Sequence, residues 1–173
     1  MGNIDDTYTF FLKVIFKDVQ EPIFIKIRKK ESERFEINME SFNETRKSSL
    51  FFVCDTIDGK YIGINIAQIQ SVNILWEPSP HFEDLKYYEG PIKFLLKGRK
   101  EMIETNTEDP DELHDFYSYL EYGSDIVGTF AGFTDEDGER LLINIHELLY
   151  IESPQSLTDE GWQIVKKRDG IET

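Results

Sequence analysis

Short runs of alternating apolar and polar residues set the character of the chain. Tyr8 to Phe16 alternates loosely and is rich in β-favouring side chains. Ile23 to Arg28 alternates cleanly, and Val19-Gln20-Glu21-Pro22 between them has turn chemistry. The two runs predict a pair of strands. Leu50 to Thr56 and Ile126 to Phe133 are apolar or β-prone, and each leads to an Asp-Gly pair, Asp58-Gly59 and Asp137-Gly138. Glycine there supplies the positive φ of a tight hairpin turn, so Tyr61 to Ile66 and Leu141 to Ile145 are expected to return as partner strands. Ile69 and Val72 then follow at a spacing of three, as do Leu148 and Ile151. That spacing predicts one helical turn leading into closing strands, Val72 to Trp76 and Leu149 to Glu152. Ile92 to Leu96 reads as a further strand, and Trp162 to Lys167 as a last one before a frayed tail from Asp169 to Thr173.

One helix is well signalled. Asp109 before Pro110 is a good helix start, and Leu113, Phe116, Tyr117 and Leu120 form one buried stripe. Gly123 is expected to end it. Phe35, Ile37 and Met39 alternate as in a strand, whereas Phe35, Met39 and Phe42 are spaced as on a helix face, so that segment stays open between the two. Glu77 to Gly90, with Pro78 and Pro80, reads as a linker.

The chain also repeats itself. Asp58-Gly59-Lys60-Tyr61-Ile62-Gly63-Ile64-Asn65-Ile66 lies over Asp137-Gly138-Glu139-Arg140-Leu141-Leu142-Ile143-Asn144-Ile145 at a constant offset of 79 residues. At that offset Ile69 meets Leu148 and Val72 meets Ile151. Pro22-Ile23 resembles Pro91-Ile92 at an offset of 69, which would give the second copy ten extra residues. The expectation is an α+β fold, mainly antiparallel. It comprises two tandem copies of a small bent-sheet or barrel-like module, residues 1–78 and 91–173, joined by a linker at 79–90, with a helix in the second copy. In outline such a module is similar to Sm-like and SH3-like small barrels, an analogy of fold that transfers no function. Gly59, Asn65, Gly138 and Asn144 are the repeated structural positions. For the asparagines the simpler reading is a side chain bonding nearby backbone where strand gives way to turn; the alternative is a pair of ligand-binding amides.

Charge narrows the partners. Of 173 residues, 34 are acidic and 19 basic, for a net charge of −15. Residues 1–80 carry a net −2 and residues 81–173 a net −13. Such a field repels phosphate backbones and anionic membranes, and suits a basic protein partner or plain solubility. No apolar run is long enough to span a membrane. Met1 to Asp6 lacks the order of a signal peptide. Cys54 is the only cysteine, so a reducing, cytoplasmic location is expected. Its apolar surroundings read as core.

Tests for chemistry find no pattern. With Gly138 as the sixth position of a calcium loop, Phe133 falls first and Asn144 twelfth, and neither is the required ligand. His81, His114 and His146 form no metal-binding spacing. No nucleophile elbow or phosphate-binding glycine loop is present. No catalytic residue, metal site or cofactor is therefore expected. Two basic clusters stand out: Lys26, Arg28, Lys29, Lys30 and Arg34, and Lys97, Arg99 and Lys100. Leu148-Leu149-Tyr150-Ile151-Glu152 resembles, over those five residues alone, the strand that opens LytTR-type DNA-binding domains, and no functional residue is carried over from it.

The expected function is a non-enzymatic protein-binding or assembly module with an unknown, basic or self-associating partner and no membrane contact. Trp76, Phe82, Tyr87 and Tyr88 are its candidate contacts, because aromatics anchor interfaces; the simpler reading makes them the seam between the halves. The alternatives are an acidic inhibitor or nucleic-acid mimic, and nucleic-acid binding through the basic clusters.

Overall fold

The computed structural model describes residues 8–45, 50–78, 87–122 and 129–171. Its fold is α+β, with mostly antiparallel strands and three helices. In the first half, β1 (Tyr8–Phe16) and β2 (Ile23–Ile27) precede α1 (Lys29–Thr45). Then come the hairpin β3 (Phe51–Asp55) and β4 (Lys60–Asn65), a 3-10 turn at Ile66–Gln68, and β5 (Ile69–Pro78). The second half runs β6 (Ile92–Leu96), β7 (Ile103–Thr105), α2 (Pro110–Tyr122), β8 (Phe130–Thr134) and β9 (Arg140–Asn144). A 3-10 turn at Ile145–Glu147, β10 (Leu148–Pro154) and α3 (Gln155–Arg168) complete it.

Among the described residues three sheets form, in the orders β2-β1-β5, β3-β4-β10-β6-β7 and β8-β9. The five-stranded sheet joins the halves through β4 and β10. Its middle lies between two hydrophobic cores. On β3, Phe52 and Cys54 face one core, with Leu12, Val14 and Ile64. Phe51 and Val53 face the other, with Phe116, Tyr117 and Ile151. A strand covered on both faces has no use for polar positions, which accounts for the unbroken Leu50-to-Cys54 run. β10 is likewise buried along its whole length.

Several geometric details recur 79 residues apart. Gly59 and Gly138 both have φ of +79°, the left-handed value that favours glycine. Thr56 N–H donates to the Lys60 carbonyl and Asp135 N–H to the Glu139 carbonyl, each at 2.8 Å. Phe51 pairs with Asn65, and Phe130 with Asn144. The register of β5 on β1 slips between Ile69–Phe16 and Ser71–Ile15, and that of β10 on β6 slips between Leu148–Leu96 and Tyr150–Leu95.

The structure departs from expectation in several places. No sheet closes into a barrel among the described residues. Helix is not confined to the second half: the ambiguous Phe35 segment is helical and buries Phe35. Trp162 to Lys167 is not a strand but part of α3. Ile92 sits in β6, beside β10 as β1 sits beside β5, whereas Ile23 sits in β2; the Pro-Ile match therefore links strands in different positions. Most of the expected linker, with Phe82 and His81, lies outside the described residues, as does Gly123.

Candidate interaction surface

β5 is ten residues long and, among the described residues, pairs only with β1. Its other edge has no strand partner among the described residues. Native sheets protect such edges with lysine, proline or inward-pointing charge. From Ile69 to Trp76 β5 carries no charged residue and no proline. Leu75 and Trp76 near its end are 42% and 63% exposed. Trp76 packs edge-to-face on Tyr8, with ring centroids 5.4 Å apart. Exposed aromatic side chains and open strand edges are both features through which proteins in general hold extended polypeptide.

The other candidate aromatics lie elsewhere. Tyr87 is 71% exposed and covers Gly59 at the β3–β4 turn, where a Cβ would collide with its ring. Tyr88 is a seam residue. Its N–H donates to the Asp58 carbonyl at 2.8 Å, its hydroxyl donates to the Pro91 carbonyl, and Lys60 Nζ stands 4.9 Å from its ring centre. Burial, with Glu152 nearby, pushes its phenol up to about 12. No ring contact joins Trp76 to Tyr87 or Tyr88 among the described residues. Four aromatics named from one stretch of sequence thus divide into an exposed strand end, a turn cover, a seam and one undescribed residue.

The two repeated asparagines differ in surroundings. Asn65 is fully buried; its Nδ2 donates to the Leu148 carbonyl of β10 at 2.9 Å and its Oδ1 accepts from Leu50 N–H at 3.3 Å. Asn144 is half-buried, and its Oδ1 accepts from His146 N–H at 3.0 Å. Both amides serve backbone.

Between β4, β10 and α2 lies a polar seam inside the apolar interior. The Tyr117 hydroxyl donates to the Tyr61 carbonyl at 2.9 Å and lies 2.9 Å from Ser153 Oγ. Lys60 pairs with the nearly buried Glu152 carboxylate, and the Tyr150 hydroxyl donates to that carboxylate at 3.4 Å. Burial pushes the Tyr61, Tyr117 and Tyr150 phenols well up. It does the same to the Cys54 thiol, which leaves Cys54 unreactive rather than nucleophilic.

Three residues of the first basic cluster meet acids of the same fold. Arg28 pairs with Asp55 at 3.6 Å, Lys29 with Glu33 at 3.9 Å and Arg34 with Glu31 at 2.8 Å. In α2, Glu112 accepts from Thr134 N–H at 2.8 Å and Arg140 at 2.7 Å, while Asp115 meets Arg168 of α3 at 3.3 Å. The Asp135 carboxylate accepts from the Asp137 and Glu139 N–H groups at 3.0 and 2.8 Å, so it closes its own turn. Among the described residues no three metal-ligating side chains cluster, and no helix is long and apolar enough to cross a membrane.

Two grooves flank the hairpins. One of about 240 Å³ lies between α1 and β3 and is lined by Arg34, Phe51, Phe52 and Val53, with Glu121 and Tyr122 of α2 at its side. A larger one of about 560 Å³ lies between α2 and β8 and is lined by Phe116, Tyr119, Phe130, Ala131, Gly132 and Arg140. Comparison with known proteins returned no match to a family model, a curated protein or a solved structure.

Proposed function

We propose that this chain is a non-enzymatic assembly module that binds polypeptide, built from two copies of one small β-rich unit. The observation that carries the reading is β5, a long strand with one edge open among the described residues, no protecting charge before Glu77, and Leu75 and Trp76 exposed at its end. An extended segment laid on such an edge gains main-chain hydrogen bonds, and neighbouring side chains supply selectivity. The recurring 79-residue geometry supports the two-copy description: like hairpins, like glycine turns and like register slips. The net charge of −15 repels a phosphate backbone, which weighs against the nucleic-acid alternative.

Affinity capture tests the reading, using the tagged chain in nuclease-treated extract of its source cell, beside a Leu75→Ala/Trp76→Ala variant. The expected result is a stoichiometric polypeptide partner that survives nuclease and is lost with the variant, while the variant keeps the wild-type circular dichroism spectrum. A partner lost on nuclease treatment, or none, would contradict it.

A further inference from the structure

We infer that β5 and β9 are the two sides of a junction between copies of this chain, repeating between molecules the β4–β10 junction found within one. The inference rests on the assembly-module reading and names its partner. β10 is paired on both edges, by β6 and by β4. Its counterpart at the 79-residue offset, β5, is paired among the described residues on one edge only, by β1. β4 is likewise paired on both edges, by β3 and β10, and its counterpart β9, among the described residues, only by β8. The register slip on β1–β5 matches that on β6–β10, and the hairpin registers match pair for pair. The open edge of β5 therefore corresponds to the edge of β10 that receives β4, and the open edge of β9 to the edge of β4 that it receives.

Side chains on the corresponding faces agree at Phe51 and Phe130 and differ at two positions, where Gly132 replaces Val53 and Leu142 replaces Gly63. Across the internal junction Phe51 and Val53 are 4% and 2% exposed, packed into the core of the second half. At the positions of Phe51 and Gly63 on the second hairpin stand Phe130 and Leu142, 57% and 56% exposed. Both are large apolar side chains on a face that the fold covers in its other occurrence. The grooves match as well. Residues 51–53 line the smaller one, which α2 flanks across the junction, and residues 130–132 line the larger. Asn144 acquires a role by the same step. Asn65 Nδ2 donates across the internal junction to Leu148, and the corresponding acceptor for Asn144 is the Ile69 carbonyl of a second copy.

Transposing the internal register, in which Ile151 pairs with Gly63 and Tyr150 with Ile64, sets Val72 opposite Leu142 and Ser71 opposite Ile143. Each chain offers β5 on one side and β9 on another, so the contact is head-to-tail and builds a ring or a filament rather than a closed twofold dimer. Gln70 and Ser71 stand where the internal junction has the buried Leu149 and Tyr150. The junction between molecules is thus the more polar of the two, and exchanges with concentration.

The test is the mass of the purified full chain by sedimentation over a concentration series, with Leu142→Asp and Phe130→Asp beside wild type. Both replaced residues are exposed in the single chain, so circular dichroism should be unchanged. Wild type is expected to exceed monomer mass as concentration rises. Either variant should weaken association at least about tenfold, because each puts an unpaired charge into the contact. A second measurement fixes the register independently of those variants. Chains carrying Val72→Cys and chains carrying Leu142→Cys, mixed and oxidised, should give a disulfide-linked dimer that neither gives alone. A chain that stays monomeric throughout, an assembly indifferent to both aspartates, or no mixed dimer would overturn the inference. A monomeric chain that still captures another polypeptide through Leu75 and Trp76 would leave the module reading standing and remove only self-assembly.

Discussion

Asn65 shows what a single side chain does here. It is fully buried, and its amide serves one backbone group in each half of the molecule. Asn65→Ala strands both, at a cost of about 2–4 kcal/mol; Asn144→Ala, half-exposed, should cost under about 1 kcal/mol. Urea midpoints of the two variants check the contrast, and equal losses would contradict the assignment of the buried amide. The tyrosine seam sets the response to alkali. Tyr61, Tyr117 and Tyr150 have phenols raised by burial, so the folded chain keeps protons that the unfolded chain releases near pH 10. Stability is full below about pH 10 and falls as pH rises beyond it. Denaturant melts between neutrality and strong alkali, with tyrosinate absorbance as the second readout, should show ionisation together with unfolding rather than before it. The asparagine repeat was legible in the sequence. Which backbone groups the amides serve was not, because Leu148 lies 83 residues from Asn65.

At the scale of elements, local signals carried some of the fold and misled on the rest. α2 was readable because its start signal and its stripe agree: Leu113, Phe116, Tyr117 and Leu120 are all buried. α3 was not. Its buried positions are Thr158, Gly161 and Val165, while Trp162 and Ile164 are 38% exposed, so its apolar residues do not mark its inner face. The reason is close packing. A Cβ on Gly161 would collide with the Pro110 carbonyl oxygen, and His114 stacks on Trp162 with ring centres 5.3 Å apart. Gly161→Ala should therefore push α3 off α2 and cost about 1–3 kcal/mol, read as a lowered melting temperature with altered Trp162 fluorescence. The hairpins allow a paired comparison. Phe51→Ala empties a buried site and should cost about 3–5 kcal/mol, whereas Phe130→Ala, at the corresponding position, should stay within about 0.5 kcal/mol in the dilute chain.

For the whole molecule, the arrangement turns on pairings that no local pattern encodes. Antiparallel, β-rich architecture followed from alternation and Asp-Gly turns. That β4 would pair with β10, giving the halves one common sheet, did not, since strand pairing between distant segments leaves no mark on either strand alone. The same limit hid the candidate surface. Trp76 was named for its aromatic character, but the open backbone beside it depends on which strands stop at β5. Among the described residues β5 is open where β10 is closed. Amide hydrogen exchange of the purified chain at low concentration tests it most directly. Slow exchange is expected along β10 and fast exchange at alternate amides of β5, those turned away from β1, with those amides slowing as concentration rises. Protection along β5 equal to that of β10 at the lowest concentration would mean that the chain covers this edge itself, and that β5 has no free edge to offer.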